Sequence, residues 1–100
     1  MLYIINKNNK REPFGIIGAQ TTLVDDNKNN LYVGDIVKVT HKNVKWSKLR
    51  MVCYKDSAFI QGVHQEDTKD FMIEKIVDHS KLTDGFQLYD NLIVSKLELE

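Results

Sequence analysis

"LYVGDIVKVT" (residues 31–40) decides how this chain folds. An aromatic-aliphatic start runs into a Gly-Asp pair, and a β-branched run follows at once. Gly34 supplies the positive φ or close backbone approach that leucine or valine resists. Asp35 can accept a hydrogen bond from a nearby backbone N–H and so hold a turn. Val37 and Val39 beyond it are spaced two apart, as a strand with one buried face requires. The stretch therefore reads as a structural turn, at Gly34 and Asp35, into a strand.

Working outward, short β-branched and aromatic runs recur: "LYII" (2–5), "FGIIG" (14–18), "TTLV" (21–24), "KLRMVCY" (48–54), "AFIQGV" (58–63) and "FMIEKIV" (71–77). Clusters rich in Asn, Asp and Lys separate them. This spacing predicts a mainly β protein, a small antiparallel barrel of the SH3-like or a related kind. In "KLRMVCYK", Leu49, Met51 and Cys53 share one face while Arg50, Val52 and Tyr54 share the other. One core face and one partly wet face are expected there. After Asp84 the period changes: Phe86, Tyr89, Ile93 and Leu97 fall at helical spacing, widened by Leu88 and Leu92. Asp84 and Gln87 are placed for a capping box. The pattern predicts one C-terminal helix or helical turn over about residues 85–97, packed on the sheet.

The 100 residues make one small domain, 1–100, with 42% hydrophobic and 28% charged content, as in an ordinary globule. The closing "LELE" (97–100) contains a Leu-Glu pair common in cloning scars. No apolar run approaches the ~18 residues of a membrane-spanning helix. The N-terminal order, apolar first and basic after, is the reverse of a secretory signal and predicts no export. A single cysteine, Cys53, excludes an internal disulfide, fits a reducing cytoplasm, and reads as a small buried hydrophobe.

Zero net charge hides a polarity. Residues 1–55 carry ten Lys/Arg and four Asp/Glu; residues 56–100 carry four and ten. Halves of opposite sign are expected to pair within the fold, with contact between copies as the alternative. From Lys38 to Lys55 there are six basic residues and no acid. Lys42, Lys45, Lys48 and Arg50, interleaved with His41 and Trp46, could supply phosphate contacts and a stacking ring for nucleic acid. The plainer expectation is a solvated hairpin tip with Trp46 folded onto the barrel.

Catalytic chemistry has little to stand on. His41, His64 and His79 lie 23 and 15 residues apart, without metal-ligand spacing, and no phosphate-binding glycine loop occurs. His64-Gln65-Glu66-Asp67 reads as a solvated loop. The chain is expected to be no enzyme and to need no cofactor or metal.

"IIGAQTTLVDDNKNNLYVGDIVKVT" (16–40) resembles the YopX family, small proteins of phages and prophages of Gram-positive bacteria. Asp26, Asn27, Leu31, Tyr32, Gly34, Asp35, Ile36, Val37 and Val39 match the centre of that family's pattern. "SAFIQGV" and "FMIEKIVDHSKL" look like its later pieces, so the resemblance spans about residues 16–82. Val33 stands where a glutamate is usual, "NKNN" replaces a tighter Asn-Gly turn, and the later strand lacks the family glycine. The resemblance implies a β-rich fold, a mobile-element origin and self-association, and it supplies no catalytic residue. Together these readings give a cytoplasmic, non-enzymatic protein-interaction module of a phage or prophage. It would bind itself or a host or phage protein. A nucleic-acid-binding barrel using residues 41–50 is the alternative.

Overall fold

The computed structural model describes residues 1–97, without the side chains of Gln65 and Asp67. Three residues of the terminal Leu-Glu repeat, 98–100, lie outside the described residues. In chain order the strands are β1 (Leu2–Ile5), β2 (Arg11–Pro13), β3 (Gln20–Val24), β4 (Asn30–Tyr32), β5 (Ile36–His41) and β6 (Ser47–Lys55). They continue with β7 (Ser57–Ile60), β8 (Phe71–Val77), β9 (Gln87–Tyr89) and β10 (Leu92–Lys96). Short 3₁₀ turns occupy Gln65–Asp70 and His79–Lys81. The fold is mainly β and the strand pairs are antiparallel, as the sequence predicts. Among the described residues no helix is long and apolar enough to cross a membrane.

One four-stranded sheet has the order β7-β6-β5-β8, another β2-β1-β10-β9, and β3-β4 form a ribbon. The period of two in "IVKV" sends β5 side chains to opposite sides. Val37 and Val39 join Leu31, Val52 and Ile60 in one core, inside the curl of the first sheet and the ribbon. Ile36 joins Leu2, Ile4, Met51, Cys53, Leu88 and Val94 in a second core, beneath the other sheet. The barrel does not close: no backbone hydrogen bond joins β3 to β7 among the described residues.

Three further sequence expectations change. Strand β6 is buried on both faces from Arg50 to Cys53, because Met51 and Cys53 face the core beneath the β1–β10 sheet while Val52, on the other face, packs in the core beneath the ribbon. "FGIIG" is a loop, turned by Gly15 (φ 107°) and Gly18 (φ 87°). The helix over 85–97 is absent; its residues form the β9–β10 hairpin. Asp90 and Asn91 both take positive φ (45° and 64°), as a two-residue hairpin turn of the right twist demands. β-branched Ile93 and Val94 then pair with β1. Asp84 starts no helix, and its Oδ1 accepts the Lys96 N–H at 2.7 Å.

The free edge of β8 is closed by side chains rather than by a strand. Asp26 Oδ2 accepts the Ile73 N–H at 2.6 Å, and Asp25 Oδ2 accepts the Lys75 N–H at 2.9 Å. The Asp26 N–H in turn donates to the Ile73 carbonyl. An edge so occupied cannot template another strand.

The opening turn closes through the Asp35 N–H to the Tyr32 carbonyl, at 3.0 Å. Gly34 sits in its third position with φ 94°, where a type II turn needs glycine. A Cβ there would lie 3.3 Å from both His79 Cβ and Ile17 Cγ2. Gly34→Val should therefore cost about 1–3 kcal/mol, from backbone strain and crowding together. An unchanged melting temperature would refute that reading of the turn.

Candidate functional site

Asp35 is fully buried and both carboxylate oxygens are used. Oδ2 accepts the Tyr32 N–H at 2.8 Å and meets the Lys75 ammonium at 3.1 Å. Oδ1 accepts the His79 N–H at 2.7 Å and lies 3.0 Å from His79 Nδ1. Asp78 completes the cluster: its Oδ1 is 2.9 Å from Lys75 Nζ, while Oδ2 accepts from the Ser80 backbone and hydroxyl. The cluster borders an open cleft of about 530 Å³ lined by Asn29, Tyr32, Lys75, Asp78 and Lys81.

At Lys75 and Asp78 the electrostatics fix charges rather than poise them. Burial alone lowers the pKa of the Lys75 ammonium, but hydrogen bonds and charge from Asp78 and Asp35 outweigh it and raise it. The hydrogen bond from Lys75, with those from Ser80, holds the Asp78 carboxyl well below the usual carboxylate range. Both groups are driven further from neutrality, the opposite of what acid-base catalysis near pH 7 requires. Asp35, Asp78 and His79 bring three donor atoms within 4.8 Å, as a metal would need. The Lys75 ammonium already bridges the two carboxylates, so the cluster contains its own cation. Cys53 is equally inert, because burial pushes its thiol up to about 12.

The basic segment is only partly brought together. Lys42, Lys45 and Lys48 are exposed on the β5–β6 hairpin, and Trp46 packs with His41 and Phe71 at centroid distances of 6.1 and 5.7 Å. Lys48 Nζ stands 5.4 Å from the Trp46 ring centre. The Lys42 N–H donates to the Asp70 carbonyl, which draws the acidic 65–70 turn against the tip. Arg50 is elsewhere: only 7% exposed, its guanidinium lies 4.2 Å over the Tyr89 ring and donates to the Leu49 carbonyl. His64 stands at the start of the 65–70 turn. The ion pairs among the described residues include none that joins a cation of 1–55 to a carboxylate of the second half.

A trough with an apolar middle, which sequence reading missed, runs across the surface from beside His79 and Ser80. Its middle, a depression of about 350 Å³, is lined by Met1, Gly15, Ile16, Ala19, Gln20 and Tyr54. It shares Met1 and Ile16 with a depression of about 320 Å³ that reaches Lys96 and Leu97. It shares Gln20 and Tyr54 with another, of about 490 Å³, that reaches Asp56 and Ser57. Ile16, 65% exposed, is the most exposed large hydrophobic residue described. The sequence signal was the pair of glycines flanking "II", which permits a loop as readily as a strand.

Compared with known proteins, the chain matches no family model, no curated protein and no solved structure.

Burial pushes the Asp25 carboxyl up, but hydrogen bonds from Lys75, Asn29 and Asn27 outweigh this and leave it below its ordinary 3.8. A carboxylate depressed in the folded state stabilises above its unfolded pKa, and the contribution fades as pH falls through the folded value. Asp25→Asn should therefore destabilise the protein at about pH 7 and much less at about pH 2.5. Urea unfolding at both pH values checks this; an equal loss at both would show that the Asp25 charge is irrelevant.

Proposed function

We propose that this chain is a non-enzymatic protein-interaction module that binds through the trough around Ile16, Ala19 and Tyr54. The trough carries the reading. An isolated exposed leucine or isoleucine needs no explanation, but an apolar depression beside an exposed isoleucine, extended at both ends by further depressions, marks a contact surface on a small domain. Two further features support it: Lys75 and Asp78 are each held in the charged state, and the one thiol is buried. The resemblance to the YopX family supports reading such a module as an accessory protein of a phage or prophage, acting in the cytoplasm of a bacterial host.

A photo-crosslinking residue at position 16 should give covalent protein adducts in bacterial cytosol, and the same residue at position 45 should give few. Adducts at 45 but not at 16 would overturn the proposal.

Nucleic-acid binding by the hairpin tip is the second reading, favoured by three exposed lysines around Trp46. Against it, Lys48 already covers the tryptophan ring and Arg50 is withdrawn beneath Tyr89. Wild-type protein should bind single-stranded DNA or RNA only marginally, even at low salt. Lys42→Glu, Lys45→Glu and Lys48→Glu together should change this little. A micromolar, salt-dependent affinity lost in the triple variant would establish the tip as a phosphate-binding surface.

A further inference from the structure

We propose that the trough is filled by the same trough of a second copy of this chain, in a two-fold dimer. The inference rests on the trough being a protein-binding surface, and names what it binds. A two-fold contact must be complementary to itself, so one patch must hold both the projection and its receptor. This one does. Ile16 projects from it, and the hollow lined by Gly15, Ala19 and Tyr54 lies beside Ile16.

Charge points the same way. Lys96 stands at one end of the trough and Asp56 at the other. Neither makes an ion pair among the described residues. Asp84, near Lys96, accepts its backbone N–H. Lys55, next to Asp56, is turned away, 5.7 Å from the centre of the Phe14 ring and 4.0 Å from Glu12. A two-fold axis through the middle of the trough sets Lys96 of each copy opposite Asp56 of the other. Two complementary end contacts then flank one apolar centre. The closed β8 edge removes strand-to-strand pairing there as a competing route to a dimer.

Sedimentation over a wide concentration range at low salt tests this with wild type, Asp56→Lys, Lys96→Glu, the double variant and Ile16→Glu. Wild type should dimerise, and each single reversal should weaken the dimer about tenfold, because it replaces two attractions by two repulsions. The double variant restores both pairs with their signs exchanged and should return to within about threefold of wild type. Ile16→Glu should be monomeric, with circular dichroism unchanged and the melting temperature of wild type diluted to monomer, since the side chain is exposed in the lone chain. A wild type monomeric throughout, or a double variant no tighter than the singles, would overturn the inference. The two proposals fail separately. A crosslinked adduct at position 16 whose mass is not twice the chain removes the second copy and leaves the interaction reading standing. A monomer with no adduct at all removes both.

Discussion

The fold hangs on the Asp35 carboxylate. Four donors converge on it: the N–H groups of Tyr32 and His79, the His79 ring and the Lys75 ammonium. They join the turn before β5 to the end of β8 and the turn beyond it, more than forty residues along the chain. Removing the donors would leave the buried Asp35 charge desolvated and uncompensated, a loss of up to about 3–5 kcal/mol where both members of a pair are buried and less here, because Lys75 is partly exposed. With Nδ1 protonated, His79 donates to Asp35, so the carboxylate also fixes the orientation of the ring. Gly34 then has to be small and left-handed, since His79 stands directly against it.

From that anchor β5 and β6 serve as a wall shared by two cores. Ile36 and Met51 lie opposite each other in the register and both face the β1–β10 sheet. One step along the same face, Lys38 and Leu49 are exposed, because the covering sheet ends there. On the reverse face Val37, Val39 and Val52 remain buried beneath the ribbon. A 100-residue chain obtains two small cores this way, at the expense of an unclosed barrel and an irregular outline.

Much of this is legible in the sequence. The valine alternation of "IVKV", the strand "KLRMVCYK" and the glycine of the opening turn are local patterns, and local patterns determine local structure. What fails is of two kinds. The C-terminal helix rests on a spacing that Phe86, Tyr89, Ile93 and Leu97 satisfy by coincidence, while Asp90-Asn91 is a hairpin signal that outweighs it. Long-range chemistry was invisible in principle: nothing local to Asp35 announces Lys75 or His79, and nothing local to Arg50 announces Tyr89. Arg50 looked like one more cation in a basic run, and tertiary packing turned it into a core residue. The opposite charge of the two halves likewise gives no close ion pair of the expected sense among the described residues, only a longer-range attraction between Arg50 and Asp90.

The same loop misread as a strand is the part of the molecule least explained by folding. Gly15 lets the chain lie on Tyr54, where a Cβ would come within 2.9 Å of the Tyr54 Cβ. Ile17 then turns toward the core, packing with the cluster that holds Leu2 and Val33. Its neighbour Ile16 is left outside by that same geometry. A serine or a lysine at position 16 would satisfy the backbone equally well and would be better solvated. An apolar side chain kept in water contributes almost nothing to the stability of a lone chain. It contributes only when something covers it, and the hollow beside it has the form of its own complement, with Lys96 and Asp56 at the two ends of the trough making no ion pair among the described residues.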